Sequence, residues 1–371
     1  MKILMVASDD PTFRFYAQSL VEQPLFFSSE SGRRSQIKEL ANSICAQSPD
    51  VVHFQHEYGC FGSKKPWLYG FPHLVHLIKQ QLPATCLVAT AHTVLQPGFQ
   101  YPLSGRGRQI PARIFANLFM MPVLNRLWGE KTWGALDGVI VHSSLQKANA
   151  LEAGARRVWV VPHFVPALKP VSAPKENETF RILVFGYFTP EKGQDLVIEA
   201  LNRMKKKNIH VVFAGGVRRS EDQGYYERCQ MRIKSMGLVN QARVTGFIST
   251  EELNQEAAQS HLAIAPFRET HGSGSLVHLL GRGLPILASD LAINREINER
   301  QKGTMEFFKS EDVIDLSLQI ERLSSEKGRE TLLSLRENAK KYSASVSPAV
   351  IQRKHLEIYE DLEKTTHHRS A

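Results

Sequence analysis

The sequence predicts an α/β protein made of two doubly wound units with parallel sheets, and three observations carry that expectation. Short apolar strands alternate with amphipathic helices along the chain, the pattern of repeated βαβ units. Near the middle, 165–178 (VPALKPVSAPKENE) is rich in Pro, Ala and charge and lacks periodicity, which is how a linker reads; the alternation restarts after it. At 371 residues the chain is also too long for one ordinary core. The expected organisation is a first unit at 1–165, a linker at 166–178, a second unit at 179–345, and a helix at 346–371 that crosses back to the first unit. Two halves of similar size joined in this way imply a cleft that the sites of both halves face.

A hydrophobic content of 42% with 22% charged residues is that of a folded chain and excludes general disorder. Cys45, Cys60, Cys86 and Cys229 form no C-x-x-C pair and sit mostly in apolar runs, so a reduced, cytoplasmic compartment is expected, without a disulfide or zinc framework. Met1 runs directly into Ile3-Leu4-Met5-Val6, which leaves no room for a signal peptide. No run approaches the roughly 20 apolar residues of a membrane span. Lys and Arg outnumber Asp and Glu by 46 to 37, a net +9 that admits an anionic partner. The basic cluster Lys205-Lys206-Lys207 reads as a solvated helix end with no interleaved aromatics, which argues against nucleic acid.

In chain order, the strand Ile3-Leu4-Met5-Val6 is followed by a loop at 8–11 and a helix at 13–20, then by a helix at 35–46 with Ile37, Leu40, Ala41 and Ile44 on one face. Asp50-Val51-Val52-His53-Phe54 is the next strand, and it ends in the polar cluster Gln55-His56-Glu57-Tyr58-Gly59. The strand Cys86-Leu87-Val88-Ala89-Thr90 ends likewise in Ala91-His92-Thr93. Ligands of open parallel sheets gather at the carboxyl ends of strands, so two strand-end histidines point to a site.

The segment 111–133, PARIFANLFMMPVLNRLWGEKTW, is apolar with scattered cations and follows the basic loop Arg106-Gly107-Arg108. It reads either as a patch for an anionic membrane surface or as a core helix pair kinked by Pro122. Its thin polar face favours packing on both sides. Further on come the strand Gly138-Val139-Ile140-Val141, with His142-Ser143-Ser144 opening a helix, and the strand at 158–161.

In the second half, strands are expected at 181–186, 210–214, 243–247 and 262–265, and helices follow each of the first three. Ser249-Thr250-Glu251-Glu252 has the form of an N-cap with acids in the first turn. The stretch from Thr270 to Asp290, THGSGSLVHLLGRGLPILASD, is a Gly/Ser turn, a short apolar helix from about Leu276 and a break into the strand Ile286-Leu287-Ala288. A helix N-terminus offers unpaired N–H groups and the positive end of its dipole, and Ser273 and Ser275 add hydroxyl donors. This is the form of a diphosphate seat, although Ser and Gly also cap ordinary helices. Helices to about Glu363 complete the chain, with a frayed end at 364–371.

Several of these segments, by their order and spacing, resemble the retaining glycosyltransferases of the GT-B fold, in particular the large family numbered four. They are Gly186-x5-Lys192-Gly193, Phe213-Ala214-Gly215-Gly216, Val244-x-Gly246-Phe247-Ile248, and Ser273-Gly274-Ser275 through Gly283-x-Pro285; in the first half they are the run 50–59, Thr90-Ala91-His92-Thr93 and Val161-Pro162-His163. The resemblance covers nearly the whole chain. It implies two Rossmann-like domains, a nucleoside-diphosphate sugar as donor substrate with no cofactor, and a glycan or lipid-linked acceptor at the inner membrane face. Lys192 and His92 would be catalytic, Lys192 neutralising the diphosphate and His92 lying near the transferred sugar. The donor would be held by Arg14, Tyr187, Gly215, Gly216, Arg218, Gly272, Ser273, Gly274, Ser275, Leu276 and His278, and the acceptor by His56, Glu57 and Tyr58. No metal is required in this scheme, and the sequence has no Asp-x-Asp triplet.

Three features depart from the family pattern. Thr270 and His278 stand where two glutamates are common, and Tyr187 stands where an arginine is common. The glycine-rich turn after the first strand is replaced by Asp10-Pro11-Thr12-Phe13-Arg14. Arg218 or Arg268 offers a replacement cation, and Arg14 could share the diphosphate charge with Lys192. The same departures motivate an alternative, a catalytically inactive GT-B protein that acts as a binding or scaffolding partner.

Overall fold

A computed structural model describes residues 1–28, 34–58, 60–61, 70–95, 98, 100, 114–129, 131–166, 168–174, 179–204, 206–270 and 272–370. Gly59, the basic loop at 106–108, Arg113, Lys205 and His271 therefore lie outside the described residues. The chain forms two compact units, Met1–Pro162 together with Ala349–Ala371, and His163–Pro348.

The first unit is a parallel sheet of β1 (Ile3–Ser8), β2 (Leu25–Phe27), β3 (Val51–His56), β4 (Cys86–Ala91), β5 (Gly138–Val141) and β6 (Val158–Val160), in the order β2-β1-β3-β4-β5-β6. β3 and β4 are in register from Val51 opposite Cys86 to His56 opposite Ala91, and every residue of both strands is buried. Burial on both faces explains why these strands read as continuous apolar runs. The second unit repeats the plan with β7 (Phe180–Phe185), β8 (Ile209–Ala214), β9 (Ala242–Gly246), β10 (Leu262–Ala265), β11 (Ile286–Ser289) and β12 (Glu306–Phe308), ordered β12-β11-β10-β7-β8-β9. The strand order reverses between β1 and β3 in one sheet and between β7 and β10 in the other, and these switch points are where open α/β sheets bind ligands.

The capping expected at Ser249 is present: its hydroxyl accepts from Glu252 N (3.1 Å), and the Glu252 carboxylate accepts from Ser249 N (2.7 Å). The edge strands β2 and β12, of three residues each, and the helix Gly70–Gln81 were not expected from the sequence. The final helix runs from Pro348 to Ser370, past the expected fraying point at 364. It packs on the first sheet, where buried His53 shares hydrogen bonds with Tyr359 Oη and with Thr90 Oγ1 (2.8 Å).

The expected linker is not a free tether. Val165 N donates to Val346 O (3.0 Å), Val171 N donates to Arg282 O (2.9 Å), and Arg336 Nη1 donates to Val171 O (2.9 Å), all within the second unit. Residue 167 and residues 175–178 lie outside the described residues. The described part of the segment forms no helix or strand and is tied down through its backbone at Val165 and Val171, which apolar spacing does not report.

The segment after 111 departs from the core reading. A π-helical turn, Ala116–Met120, leads into the helix Met121–Gly129. Met121 and Trp128 are buried, whereas Phe115, Leu118, Phe119 and Val123 are exposed. The segment packs on one side only.

His56 ends β3 on the side of Val52 and Phe54, since side chains alternate along a strand. It is enclosed by Tyr58, Phe61, Phe71, Trp128 and Trp133, with ring centroids 4.6–5.8 Å away. Burial pushes its pKa down to about 3, and burial likewise holds His355 at about 4 and His53 well below the ordinary value. The folded state therefore binds fewer protons than the unfolded chain, whose histidines titrate near about 6.5. Stability should be unaffected by these groups above that pH and should fall as pH drops below it. Denaturant melts at about pH 5 and pH 8 should show this loss, and His56→Phe should reduce it while keeping the neutral-pH stability within about 1.5 kcal/mol.

Candidate functional site

Lys192 and Ser273 come from the loops after β7 and β10, the two strands that flank the switch point of the second sheet. Lys192 closes the short turn Pro190–Lys192, which ends on Gly193 with φ +67. A Cβ at Gly193 would lie 2.0 Å from Pro266 O, so glycine is required both by the backbone angle and by the approach of the β10 loop. Gly215 has a similar role at the end of β8, where a Cβ would lie 1.9 Å from Gly186 O.

Ser273 is the N-cap of the helix Gly274–Gly281; its hydroxyl accepts from Leu276 N (3.3 Å). Lys192 Nζ donates to the same oxygen at 3.0 Å, and Ser275 Oγ lies 2.8 Å from it. The ammonium also sits 4.0 Å from the centroid of the Phe267 ring. Burial pushes the Lys192 pKa down to about 8, and Glu191 partly opposes this. A cation, two hydroxyls and the first turn of a helix thus converge at one point, and all of them favour an anion. Gly272 N donates to Thr270 Oγ1 (3.3 Å), which shapes the turn before the cap.

Tyr187 follows β7 with its ring exposed. The exposed Phe247 ring lies edge-on to it at 5.9 Å, and the Arg218 guanidinium lies 5.5 Å from its centroid. Gly216 O accepts from Phe188 N (3.0 Å) and ties the β7 and β8 loops together. His278, one turn into the helix, edges against Phe185 at 6.3 Å; burial first, then Arg282 and His163, holds its pKa at about 4, so it is neutral at pH 7. Arg268 does not replace the missing cation. Its guanidinium is bidentate to Asp195 (2.8 and 2.9 Å) and also donates to Glu311 (3.0 Å), so its charge is already compensated.

In the first unit a second group surrounds His92, just past β4. Its Nε2 lies 3.0 Å from Gln55 Oε1 and its Nδ1 lies 3.2 Å from His142 Nε2, while His142 Nδ1 donates to Val161 O (2.9 Å). Gln146 Nε2 donates to His92 O (2.8 Å), and the rings of Phe13 and Tyr16 edge against the imidazole at 5.2 and 5.0 Å. The Glu57 carboxylate accepts from Thr93 Oγ1 (2.8 Å) and Tyr58 N (2.9 Å), and Tyr58 Oη accepts from Leu95 N (3.3 Å). Arg14 stacks its guanidinium 4.2 Å from the Phe26 ring centroid.

His56 does not join this group. Strand alternation turns it into the core, and it is Gln55, its neighbour on the opposite face, that reaches His92. Sequence reasoning also passed over His142, Gln146 and Phe247. His142 was within reach, since it follows β5 as His92 follows β4.

Residues 167–342 match the family model for glycosyl transferases group 1. That segment is similar to the group 1 glycosyl transferases. Over nearly the whole chain the fold is GT-B, as shown by likeness to three solved structures. HepE of Anabaena, in complex with UDP-glucose, is similar over 97% of this chain and 100% of its own, with a TM-score of 0.70 and 15% identity. A glycosyltransferase from Rickettsia africae covers 97% and 98%, at 0.68 and 17%. Sucrose-phosphate synthase from Thermosynechococcus elongatus covers 98% and 100%, at 0.71 and 11%. At these identities the likeness is one of fold, and the search of curated proteins found no match. The matched segment contains the whole Lys192–Ser273 constellation, and the match supports glycosyl transfer as the activity.

Gly193→Ala should destabilise the second unit by about 1–3 kcal/mol through strain at positive φ and collision with Pro266 O. Urea melts followed by circular dichroism and by the fluorescence of a tryptophan placed in the second unit by Tyr226→Trp would measure it, because all four native tryptophans lie in the first unit; an unchanged midpoint would contradict the geometry.

Proposed function

We propose that the protein is a retaining, metal-independent glycosyltransferase that moves a hexose from a nucleoside-diphosphate sugar to a glycan or lipid-linked acceptor in polysaccharide assembly. The observation that carries this reading is Lys192 Nζ held 3.0 Å from Ser273 Oγ at the head of a helix beside the sheet's switch point. The leaving nucleoside diphosphate gains negative charge as the bond from the sugar C1 to the phosphate oxygen breaks. Lys192, the two serine hydroxyls and the N–H groups of Gly274 and Ser275 supply donors for that charge. The acceptor oxygen forms its bond to C1 on the face the phosphate leaves, and the acceptor proton passes to the departing phosphate oxygen. A fixed ammonium and a helix terminus can serve where other transferases use a cation.

Gly215, Gly216 and the ring pair Tyr187 and Phe247 with Arg218 offer a flat surface for the base, and neutral His278 offers a hydrogen bond to a ribose hydroxyl. His92, held by Gln55 and His142, is assigned to the transferred sugar, and Glu57 and Tyr58 to the acceptor. Arg14 is a second cation for the diphosphate. The acceptor role expected for His56 is dropped, because its ring has no exposure. HepE in its complex with UDP-glucose makes that compound the first donor to try.

Lys192→Ala should lower kcat by about 10²–10³-fold with the fold intact. Wild-type turnover in that variant, measured as release of nucleoside diphosphate, would sink the assignment. Because burial places the lysine pKa at about 8, donor binding by the free protein should weaken as pH rises through that value and be unaffected well below it. Added EDTA should leave turnover unchanged, and the product should keep the donor's anomeric configuration by NMR. A binding-only protein on the same fold is the second reading, favoured by the capture of Arg268 by Asp195. Titration with nucleotides but no turnover with any donor would select it.

A further inference from the structure

The segment 114–123 carries large apolar side chains that the fold does not use. Phe115, Leu118, Phe119 and Val123 are 58–64% exposed, and Ile114 and Met120 are exposed as well. Their spacing puts Phe115, Leu118, Phe119 and Val123 on one helical face, and the rings of Phe115 and Phe119 lie 5.0 Å apart. Met121 and Trp128 fill the opposite, buried side. The segment thus has two apolar faces and one partner. Exposed apolar surface of this extent marks an interaction site.

The charge around it decides the occupant. Among the described residues of 114–133 the charged ones are Arg126 and Lys131, both cationic and both exposed. A second copy docked by a two-fold axis would set the same cations against each other, on a chain that already carries a net +9. A phospholipid surface meets both demands, since its acyl region takes the apolar face and its anionic headgroups take the cations. Among the described residues no helix is long and apolar enough to cross a membrane, so contact would be from one side.

We propose that the 114–123 face docks the protein on an anionic lipid surface, with Phe115, Leu118 and Phe119 entering the headgroup and acyl boundary. The proposal does not rest on the transfer reaction, because lipid binding is measured without any donor or acceptor.

The test is cosedimentation of the full chain with vesicles of phosphatidylcholine alone and of phosphatidylcholine with phosphatidylglycerol. The expected result is binding to the anionic vesicles, weakened by salt and reduced about tenfold or more in the Phe115→Ser, Leu118→Ser, Phe119→Ser triple variant. The exposed positions should leave the thermal midpoint of that variant unchanged. Arg126→Glu with Lys131→Glu should weaken binding to anionic vesicles without altering the apolar face. Failure of the full chain to bind either vesicle would overturn the proposal, as would equal binding by the triple variant. A concentration-dependent dimer in analytical ultracentrifugation that the triple variant abolishes would replace lipid by a second copy.

Discussion

One oxygen organises the second unit's site. Ser273 Oγ accepts from Leu276 N, which fixes the start of the helix Gly274–Gly281, and it accepts from Lys192 Nζ, which fixes the ammonium that helix faces. Its position is in turn set by backbone that only glycine can supply, at Gly193, where the β7 loop passes Pro266 at the end of β10. The constellation is therefore a product of two loops on adjacent strands. A side chain that caps a helix and also receives a lysine concentrates donors at a point where the dipole already favours negative charge.

The surroundings of Lys192 sharpen this. Half-buried, over Phe267 and with no carboxylate bound to its nitrogen among the described residues, the ammonium is held in its charged form less firmly than a solvated lysine. Arg268, only a few residues from the same loop, shows the opposite arrangement: Asp195 and Glu311 compensate it. One cation is compensated within the scaffold and the other is not, and the distinction follows from which of them meets a carboxylate.

The first unit uses strand parity for a similar division. His53 and Gln55 share one face of β3, and His56 lies on the other. His53 meets the C-terminal helix through Tyr359, Gln55 meets the strand-end histidine His92, and His56 enters an aromatic box. Three polar residues within four positions thus serve helix docking, a polar cluster and core filling. The outward apolar face at 114–123 is a different case, in which packing satisfied one side of a helix and left the other to solvent.

Much of this was determined by the sequence alone. Alternating apolar strands and helices specify two parallel sheets because a strand buried on both faces needs a continuous apolar run, and the Ser/Gly turn before Leu276 specifies a helix start because those residues satisfy free N–H groups locally. The association of Lys192 with the Ser273 turn was implied by the family resemblance, whereas the turn itself was readable from its Ser and Gly residues at a helix start. Tertiary structure decided the rest: that Asp195 takes Arg268, that the nominal linker is bonded along its backbone, that His142 supports His92, and that His56 faces Phe71 and Trp133 rather than solvent. It also decided that the helix at 114–123 is covered on one side only. Each of these depends on what another part of the chain brings within a few ångströms, and local spacing carries no information about that neighbour.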